Sequence, residues 1–162
     1  MSEIYALPIH QEGGFVFSSL EEFQDAIKKV KITINFSVNE ASDEDKALFT
    51  TCEIGAKDLP MWFEEIEPLD TSEKAALFHL IDDCHHTTEA ALGKLPDVEI
   101  FCGSLIEAAT EIFNYIYLHE IPERMQAYVD YEQFANDMRM GGDFYEFKFA
   151  GKTYTCINAH NH

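Results

Sequence analysis

The densest group of chemically capable side chains in the sequence lies between residues 79 and 86. Six side chains there carry imidazole, carboxylate or thiol groups, the usual ligands of zinc and iron: His79, Asp82, Asp83, Cys84, His85 and His86. On a helix His79 and Asp83 share one face, as do Asp82 and His86, because residues four apart are neighbours. A zinc site needs three or four converging ligands, and no HExxH or CxxC motif completes this set. We therefore expect surface histidines around a core Cys84, with no metal. The alternative is a small metal-dependent enzyme that uses His79, Asp83 and His86.

Other patterns that would indicate catalysis or ligand binding are missing from the sequence. Gly13-Gly14 and Gly141-Gly142 lack the spacing of a phosphate-binding loop, and Asp43-Glu44-Asp45 lacks the glycine and final glutamate of a calcium loop. Adjacent acids such as Glu64-Glu65 arise from composition alone in so acidic a chain. We expect neither an enzyme nor a bound cofactor.

The cysteines and the N-terminal residues indicate the cellular compartment. Residues 1–10 contain Glu3 and no Lys or Arg, unlike a signal peptide, and no apolar run is long enough to span a membrane. We expect a cytoplasmic protein. Four widely spaced cysteines are accordingly predicted to be buried free thiols: Cys52, Cys84, Cys102 and Cys156.

Charge is the dominant feature of the composition. The 162 residues include 30 Asp and Glu but only 11 Lys and Arg, for a net charge of −19. Residues 41–99 carry most of it, with 15 acidic and 4 basic side chains. So strong a negative charge disfavours direct binding to nucleic acid or to an anionic membrane. The acids alternate with apolar residues, a pattern typical of folded amphipathic elements.

Hydrophobic periodicity predicts an α+β fold built from three small subdomains, with small antiparallel sheets and a helical middle part. The predicted boundaries are 1–57, 58–100 and 101–162. In the first subdomain we expect a strand–turn–strand in residues 4–16 around Gly13-Gly14, a helix capped by Ser19, a strand in residues 31–38 and a weaker strand at Phe49–Ile54.

The second and third subdomains are predicted from helix caps and turns. In the second, a helix over residues 59–66 ends at Pro68 and the next is capped by Asp70. In the third, we expect a strand at residues 99–102, a capping box at Ser104 and a helix that starts at Pro122. Another helix is capped by Asp130, and a hairpin turns at Ala150-Gly151. The helix after Ser104 is predicted to bury one stripe of side chains: Ile106, Ala109, Phe113 and Ile116.

The charge density itself suggests a function. Duplex DNA carries one negative charge per about 1.7 Å of axis. Small folded units that display Asp and Glu outward can approximate that density, and their carboxylates then occupy positions like phosphates. A DNA-binding protein with a basic cleft would be attracted to such a surface.

The segment Ile121–Met138 resembles the most recognisable stretch of the ArdA antirestriction family. In that family a helix that starts at proline is followed by a tyrosine, an Asp-Tyr pair, an aromatic residue, and an aspartate before an apolar residue. This sequence has the matching residues in order: Pro122, Tyr128, Asp130, Tyr131, Phe134, Asp137 and Met138. A weaker similarity continues upstream to about residue 58.

The resemblance implies three subdomains in a curved, elongated chain that forms a homodimer and is carried on a mobile genetic element. It also implies inhibition of type I restriction–modification enzymes by occupation of their DNA groove, without catalysis. The motif is expected to contribute packing or dimer contacts through four residues: Tyr128, Val129, Tyr131 and Phe134.

Partner binding is expected to depend on the summed field of surface acids in the middle and last subdomains. The predicted residues are Glu64, Glu65, Glu67, Asp70, Asp82, Asp83, Glu120, Glu123, Asp130, Glu132 and Asp137. A different basic DNA-binding protein is the alternative partner, in which case the protein is an acidic adaptor. The sequence does not distinguish these two partners, because both need only a complementary basic surface.

Overall fold

A computed structural model describes residues 3–8, 14–28 and 34–162 of the chain. Helices are combined there with two three-stranded antiparallel sheets, which confirms the predicted α+β class. The chain divides into two compact units, Met1–Lys74 and Ala75–His162. The division into three subdomains stays a prediction, as does their elongated arrangement. Among the helices of the described ranges, none has the length and hydropathy needed to cross a bilayer.

The first unit combines one sheet with short helices. Its elements are β1 (Glu3–Pro8), β2 (Phe15–Phe17), α1 (Leu20–Ile27), β3 (Ile34–Glu40), α2 (Asp43–Thr51), α3 (Leu59–Met61), a π-helical turn (Trp62–Ile66) and the start of α4 (Thr71–Asp82). The central strand β1 pairs with β2 and β3, so that Ile4 lies opposite both Phe17 and Val38. Gly13 of the predicted turn and the first residues of the predicted strand 31–38 lie outside the described residues.

The prediction of a strand at Phe49–Ile54 was wrong, because Phe49 lies in helix α2. The side chain of Ser42 accepts a hydrogen bond from the Asp45 N–H at 3.0 Å, which caps this helix. The helix buries Leu48 and Phe49, and the Phe49 ring packs edge-on against Trp62 at 4.9 Å. Burial on one helical face therefore outweighs the strand preference of the aromatic and β-branched residues here.

The second unit surrounds a hairpin with helices. It contains the rest of α4, α5 (Thr88–Lys94), β4 (Ile100–Phe101), α6 (Leu105–Ile116), α7 (Glu123–Gln126), α8 (Tyr131–Gly141), β5 (Tyr145–Phe149) and β6 (Lys152–Cys156), with 3-10 turns at Leu95–Asp97, Leu118–Glu120 and Ala159–Asn161. The sheet order is β4-β6-β5. The predicted hairpin turn is confirmed, and Ala150 and Gly151 both have positive φ, 48° and 77°.

Helices α6 and α8 share a core built on small side chains. Ala108, Ala109 and Ala135 are buried together with Phe144. The predicted buried stripe of α6 is wrong at both ends, because Ile106 and Ile116 are exposed. Alanine offers little side-chain bulk, which lets the two helix backbones approach closely and turns α6 away from its larger apolar stripe.

The four cysteines are free, but they are not uniformly buried. Cys156 is buried, Cys52 and Cys84 are half-buried, and Cys102 is exposed. The prediction of a buried thiol is therefore wrong for Cys102. This residue follows β4, where the strand has already left the sheet.

Candidate acidic interface

The predicted acids of the first unit project from a π-helical turn. Glu67 N donates to Trp62 O at 2.8 Å, which closes a wide turn of five residues. That winding buries Trp62 and Ile66 while it leaves Glu64 and Glu65 exposed. Glu67 is half-buried. The turn therefore separates an apolar face from a pair of carboxylates in solvent.

Asp70 has a structural role besides its charge. Its Oδ1 accepts from Ser72 N at 2.8 Å and from Glu73 N at 2.9 Å, while Glu73 Oε2 accepts from Asp70 N at 2.9 Å. These are the reciprocal bonds of a capping box, so the predicted cap of α4 is confirmed. The side chain of Asp70 remains exposed at the helix N-terminus, where the helix dipole favours negative charge.

Asp82 and Asp83 are adjacent in sequence but have different environments. Asp82 is exposed, whereas the Asp83 side chain is only 20% exposed. Asp83 Oδ2 accepts from His79 Nδ1 at 2.9 Å, and Asp83 Oδ1 accepts from the Tyr145 hydroxyl at 2.9 Å. The hydrogen bond to Asp83, with burial adding to it, raises the pKa of Tyr145. Both carboxylate oxygens of Asp83 thus contribute to attaching the end of α4 to β5.

His79 is buried, which corrects the expectation of a surface histidine. Its ring stacks on Phe147 at 5.0 Å and lies beside Tyr145 at 5.1 Å. Because an ionised carboxylate only accepts, His79 carries its proton on Nδ1, which leaves Nε2 facing Cys84 Sγ at 3.6 Å. Burial, reinforced by the Asp83 carboxylate, raises the pKa of the Cys84 thiol, so the thiol keeps the proton that it donates.

The alternative metal site is not formed. In the described part of the chain, no group of three His, Cys, Asp or Glu side chains is placed to hold a metal ion. His79 and Asp83 do lie together as their spacing predicts, but His86 does not complete a site with them. The backbone turns at His85, whose φ is 59°.

The five predicted acids of the last subdomain are all exposed, and two of them also stabilise a helix. Asp130 Oδ1 accepts from Gln133 N at 2.9 Å and caps α8, as predicted. Asp137 Oδ1 accepts from Gln133 Nε2 at 2.8 Å. The other three predicted acids of this subdomain are Glu120, Glu123 and Glu132.

The described Lys and Arg residues leave the predicted carboxylates largely uncompensated. Lys74 instead pairs with Asp45 at 2.7 Å in the interior of the first unit, and Lys28 pairs with Asp25 at 2.6 Å. Within the described ranges, no Lys or Arg forms an ion pair with five of the predicted acids: Glu64, Glu65, Asp82, Glu123 and Glu132. These acids can therefore present their charge to a partner.

The four motif residues predicted to pack or dimerise do not behave alike. Tyr131 packs edge-on against Phe113 at 5.5 Å and donates its hydroxyl to Asn114 Oδ1 at 2.7 Å. Phe134 packs edge-on against Phe113 at 5.1 Å, and Val129 is half-buried. Tyr128 is 80% exposed. Packing within the unit thus accounts for Tyr131 and Phe134, and Tyr128 faces solvent.

The eleven predicted acids lie in both units. Glu64, Glu65, Glu67 and Asp70 belong to the first, and the other seven belong to the second.

Sequence reasoning missed the exposed apolar side of α6, where Ile106 lies. A periodic apolar stripe indicates a helix but does not show which of two overlapping stripes is buried.

The sequence matches a known protein family over most of its length. The family model for the antirestriction protein ArdA matches residues 15–150, which extends further toward the N-terminus than the motif resemblance does. No curated protein matches the chain. Because the family model covers most of the sequence, the chain belongs to the ArdA antirestriction family.

Proposed function

We propose that this antirestriction protein inhibits type I restriction–modification enzymes by placing its carboxylates where the enzyme binds DNA phosphates. The observation that carries the proposal is the set of exposed acids that have no ion pair with Lys or Arg in the described chain. Their charge is available to a basic DNA-binding groove, and long-range attraction accelerates the encounter.

The mechanism is competitive occupation, and it needs no bond-making step. Duplex DNA and the protein compete for one groove, so excess DNA displaces the protein. Because solvent-exposed charges are screened by salt, binding weakens as ionic strength rises from about 0.1 M to about 1 M.

Each acid should contribute little to the free energy of binding, whereas the summed contribution of all the acids should be large. A solvent-exposed ion pair contributes about 0.5 kcal/mol, so a single neutralisation changes affinity about twofold. Six neutralisations together remove about 3 kcal/mol, or about a hundredfold in affinity, if the sites are independent.

The test compares two variants that lose the same number of charges. The first converts six exposed acids of the predicted set, none of them paired with Lys or Arg in the described chain, to Gln or Asn: Glu64, Glu65, Asp82, Glu120, Glu123 and Glu132. The charge-matched control converts exposed acids outside that set: Glu40, Asp43, Glu53, Glu89, Asp97 and Glu99. Both are assayed for inhibition of DNA cleavage by a purified type I enzyme and for binding with duplex DNA as competitor.

We expect the first variant to lose most of its inhibition and the control to retain most of it. Equal losses of inhibition in both variants would mean that only the net charge of the protein matters. That result would contradict the assignment of these six residues to partner binding. Binding to the enzyme that duplex DNA does not displace would contradict occupation of the DNA groove, and failure of the wild-type protein to bind the enzyme would favour the acidic-adaptor alternative.

A further inference from the structure

A hollow of about 510 Å³ lies between β3 and α2 in the first unit. Residues 36–38 of the strand line one side, and Lys46, Phe49 and Thr50 of the helix line the other. Only two residues connect β3 to α2, so the helix must run back along the strand for these residues to share one hollow. We call this hollow, bounded by residues 36–38 and 46–54, the β3–α2 groove.

The strand side of the β3–α2 groove is the edge of a sheet. The strand order is β2-β1-β3, and among the described strands β3 pairs with β1 alone. Within the described ranges, no backbone hydrogen bond joins residues 36–38 to an element other than β1. Because a strand can pair along both of its sides, alternate N–H and C=O groups of β3 are directed away from β1. The groove therefore offers main-chain donors and acceptors to an extended segment.

The floor of the β3–α2 groove is apolar. Phe36 and Val38 are half-buried, and they lie on the same face of β3 because they are two residues apart. The Phe36 ring packs against Phe23 at 5.7 Å, which holds it in place. Phe49 and Ile54, which also line the groove, are buried. An occupant therefore gains most from an aliphatic side chain placed on this floor.

Two opposite charges mark the ends of the β3–α2 groove. Lys46 and Glu53 both line it, both are exposed, and neither forms an ion pair with another described residue. Since α2 runs back along β3, Lys46 lies toward the Val38 end and Glu53 toward the Phe36 end. Seven helical positions correspond to about 10 Å. In an extended segment, residues four apart share a face and are about 13 Å apart, a difference that flexible lysine and glutamate side chains can span.

Other occupants fit the β3–α2 groove less well. Nucleic acid has no peptide groups to pair with a strand edge, and the net charge of −19 repels it. A second copy of the chain that paired through β3 would bring its own α2 to the junction. The two-fold axis of such a pair would place both helices over the same edge, where they would compete for space.

We propose that the β3–α2 groove binds an extended segment of a partner protein as a fourth strand, antiparallel to β3. An aliphatic side chain of the segment lies on the apolar floor. An acidic residue two positions before it pairs with Lys46, and a basic residue two positions after it pairs with Glu53. The antiparallel direction continues the sheet, in which both described pairings are antiparallel. This site does not rest on the proposed function.

The first experiment titrates capped peptides into the ¹⁵N-labelled full chain and follows amide shifts by NMR. The parent peptide has the order Asp-Thr-Val-Thr-Lys, and the reversed peptide exchanges its Asp and Lys. Two further peptides carry N-methyl groups on one or the other alternate set of amides of the parent. We expect parent shifts concentrated in residues 36–38 and 46–54. The reversed peptide should bind about fivefold more weakly, because it mismatches two exposed ion pairs.

The N-methylated peptides test strand pairing directly. One set of methyl groups faces β3 and should abolish binding, whereas the other set faces away and should leave most of the affinity. Equal binding by both methylated peptides would refute strand addition. Parent shifts spread over the whole surface, or absent, would refute the site.

The second experiment exchanges the two charges of the groove. The variant K46E/E53K keeps the net charge and should prefer the reversed peptide by the same factor of about five. The matched control K57E/E65K exchanges two exposed residues that do not line the groove, and it should keep the wild-type preference. An unchanged preference in K46E/E53K would overturn the proposed pairing. If this variant does not fold, as judged by urea unfolding, the methylated peptides on the wild-type protein still decide the proposal.

Light scattering tests a second copy of the chain as the occupant. The parent peptide should leave the oligomeric state of the wild-type protein unchanged. Dissociation of an oligomer by the parent peptide, but not by the methylated peptide that fails to bind, would place a second copy on the edge of β3 and would refute the proposal.

Discussion

Carboxylates in this protein either stabilise the fold or present charge to solvent, and Asp82 and Asp83 allow these two roles to be separated experimentally. Asp82→Asn and Asp83→Asn each remove one carboxylate from the end of α4, so the change in net charge is the same. Only Asp83 uses both oxygens internally, toward His79 and Tyr145. We predict that Asp83→Asn destabilises the fold while Asp82→Asn does not.

The size of the effect follows from those two hydrogen bonds. A hydrogen bond to a charged group contributes about 1 kcal/mol more to stability than one between neutral groups. Replacing the Asp83 carboxylate by a neutral amide weakens two such bonds, so it should lower the free energy of unfolding by about 2 kcal/mol. An amide also cannot accept with both terminal atoms, and His79 would have to move its proton to Nε2 to match it. A substitution at the exposed Asp82 should stay within about 0.5 kcal/mol of wild type.

Urea unfolding measures the free energy of unfolding, and DNA-cleavage assays at matched concentrations of folded protein measure inhibition. For Asp83→Asn we expect a lower midpoint with an unchanged slope, and inhibition per folded molecule close to wild type. Equal stability of the two variants would refute the structural role of Asp83. Selective loss of inhibition by folded Asp83→Asn would show instead that this carboxylate contacts the partner.

Three further predictions concern stability. Because the pKa of Tyr145 is raised in the folded state, its hydroxyl contributes fully to stability below about pH 10, and this contribution is lost as pH rises through the folded-state pKa. Tyr145→Phe should remove this alkaline loss of stability in urea unfolding measured across pH. Lys74→Met removes the cation from an interior ion pair with Asp45, whose side chains are 11% and 10% exposed, and should lower the free energy of unfolding in urea by about 3 kcal/mol. Gly142→Ala should cost about 1 kcal/mol because φ is 83°, whereas Gly93→Ala, inside a helix with open space around it, should leave the thermal midpoint unchanged or raised.

The local parts of the fold could be predicted from the sequence because caps and turns are short-range. Ser19, Asp70, Ser104 and Asp130 each accept from a backbone N–H two or three residues ahead, and all four caps were predicted. The missed cap is Ser42, whose hydrogen bond from Asp45 N would have identified α2 as a helix. The error at Phe49–Ile54 thus came from weighing strand preference above a capping pattern that was present.

The site could be predicted only as far as side-chain environments are local. The exposure of Glu64 and Glu65 follows from their spacing against Trp62 and Ile66. The burial of His79 does not, because it depends on Phe147, which lies 68 positions along the chain in the hairpin. The outward face of α6 is a similar case, since Ala135 of α8 determines which stripe is buried.

The capping acids also explain how a chain with net charge −19 can fold. Dense negative charge destabilises a compact state through self-repulsion. Asp70 and Asp130 are exposed, yet each accepts hydrogen bonds from the first backbone N–H groups of a helix, where partial positive charge offsets part of that repulsion. Acids such as Glu64 and Asp82 accept no such bond in the described structure, so salt or a basic partner is needed to relieve their repulsion. The carboxylates that contribute least to folding are therefore the ones with most free energy to gain on binding.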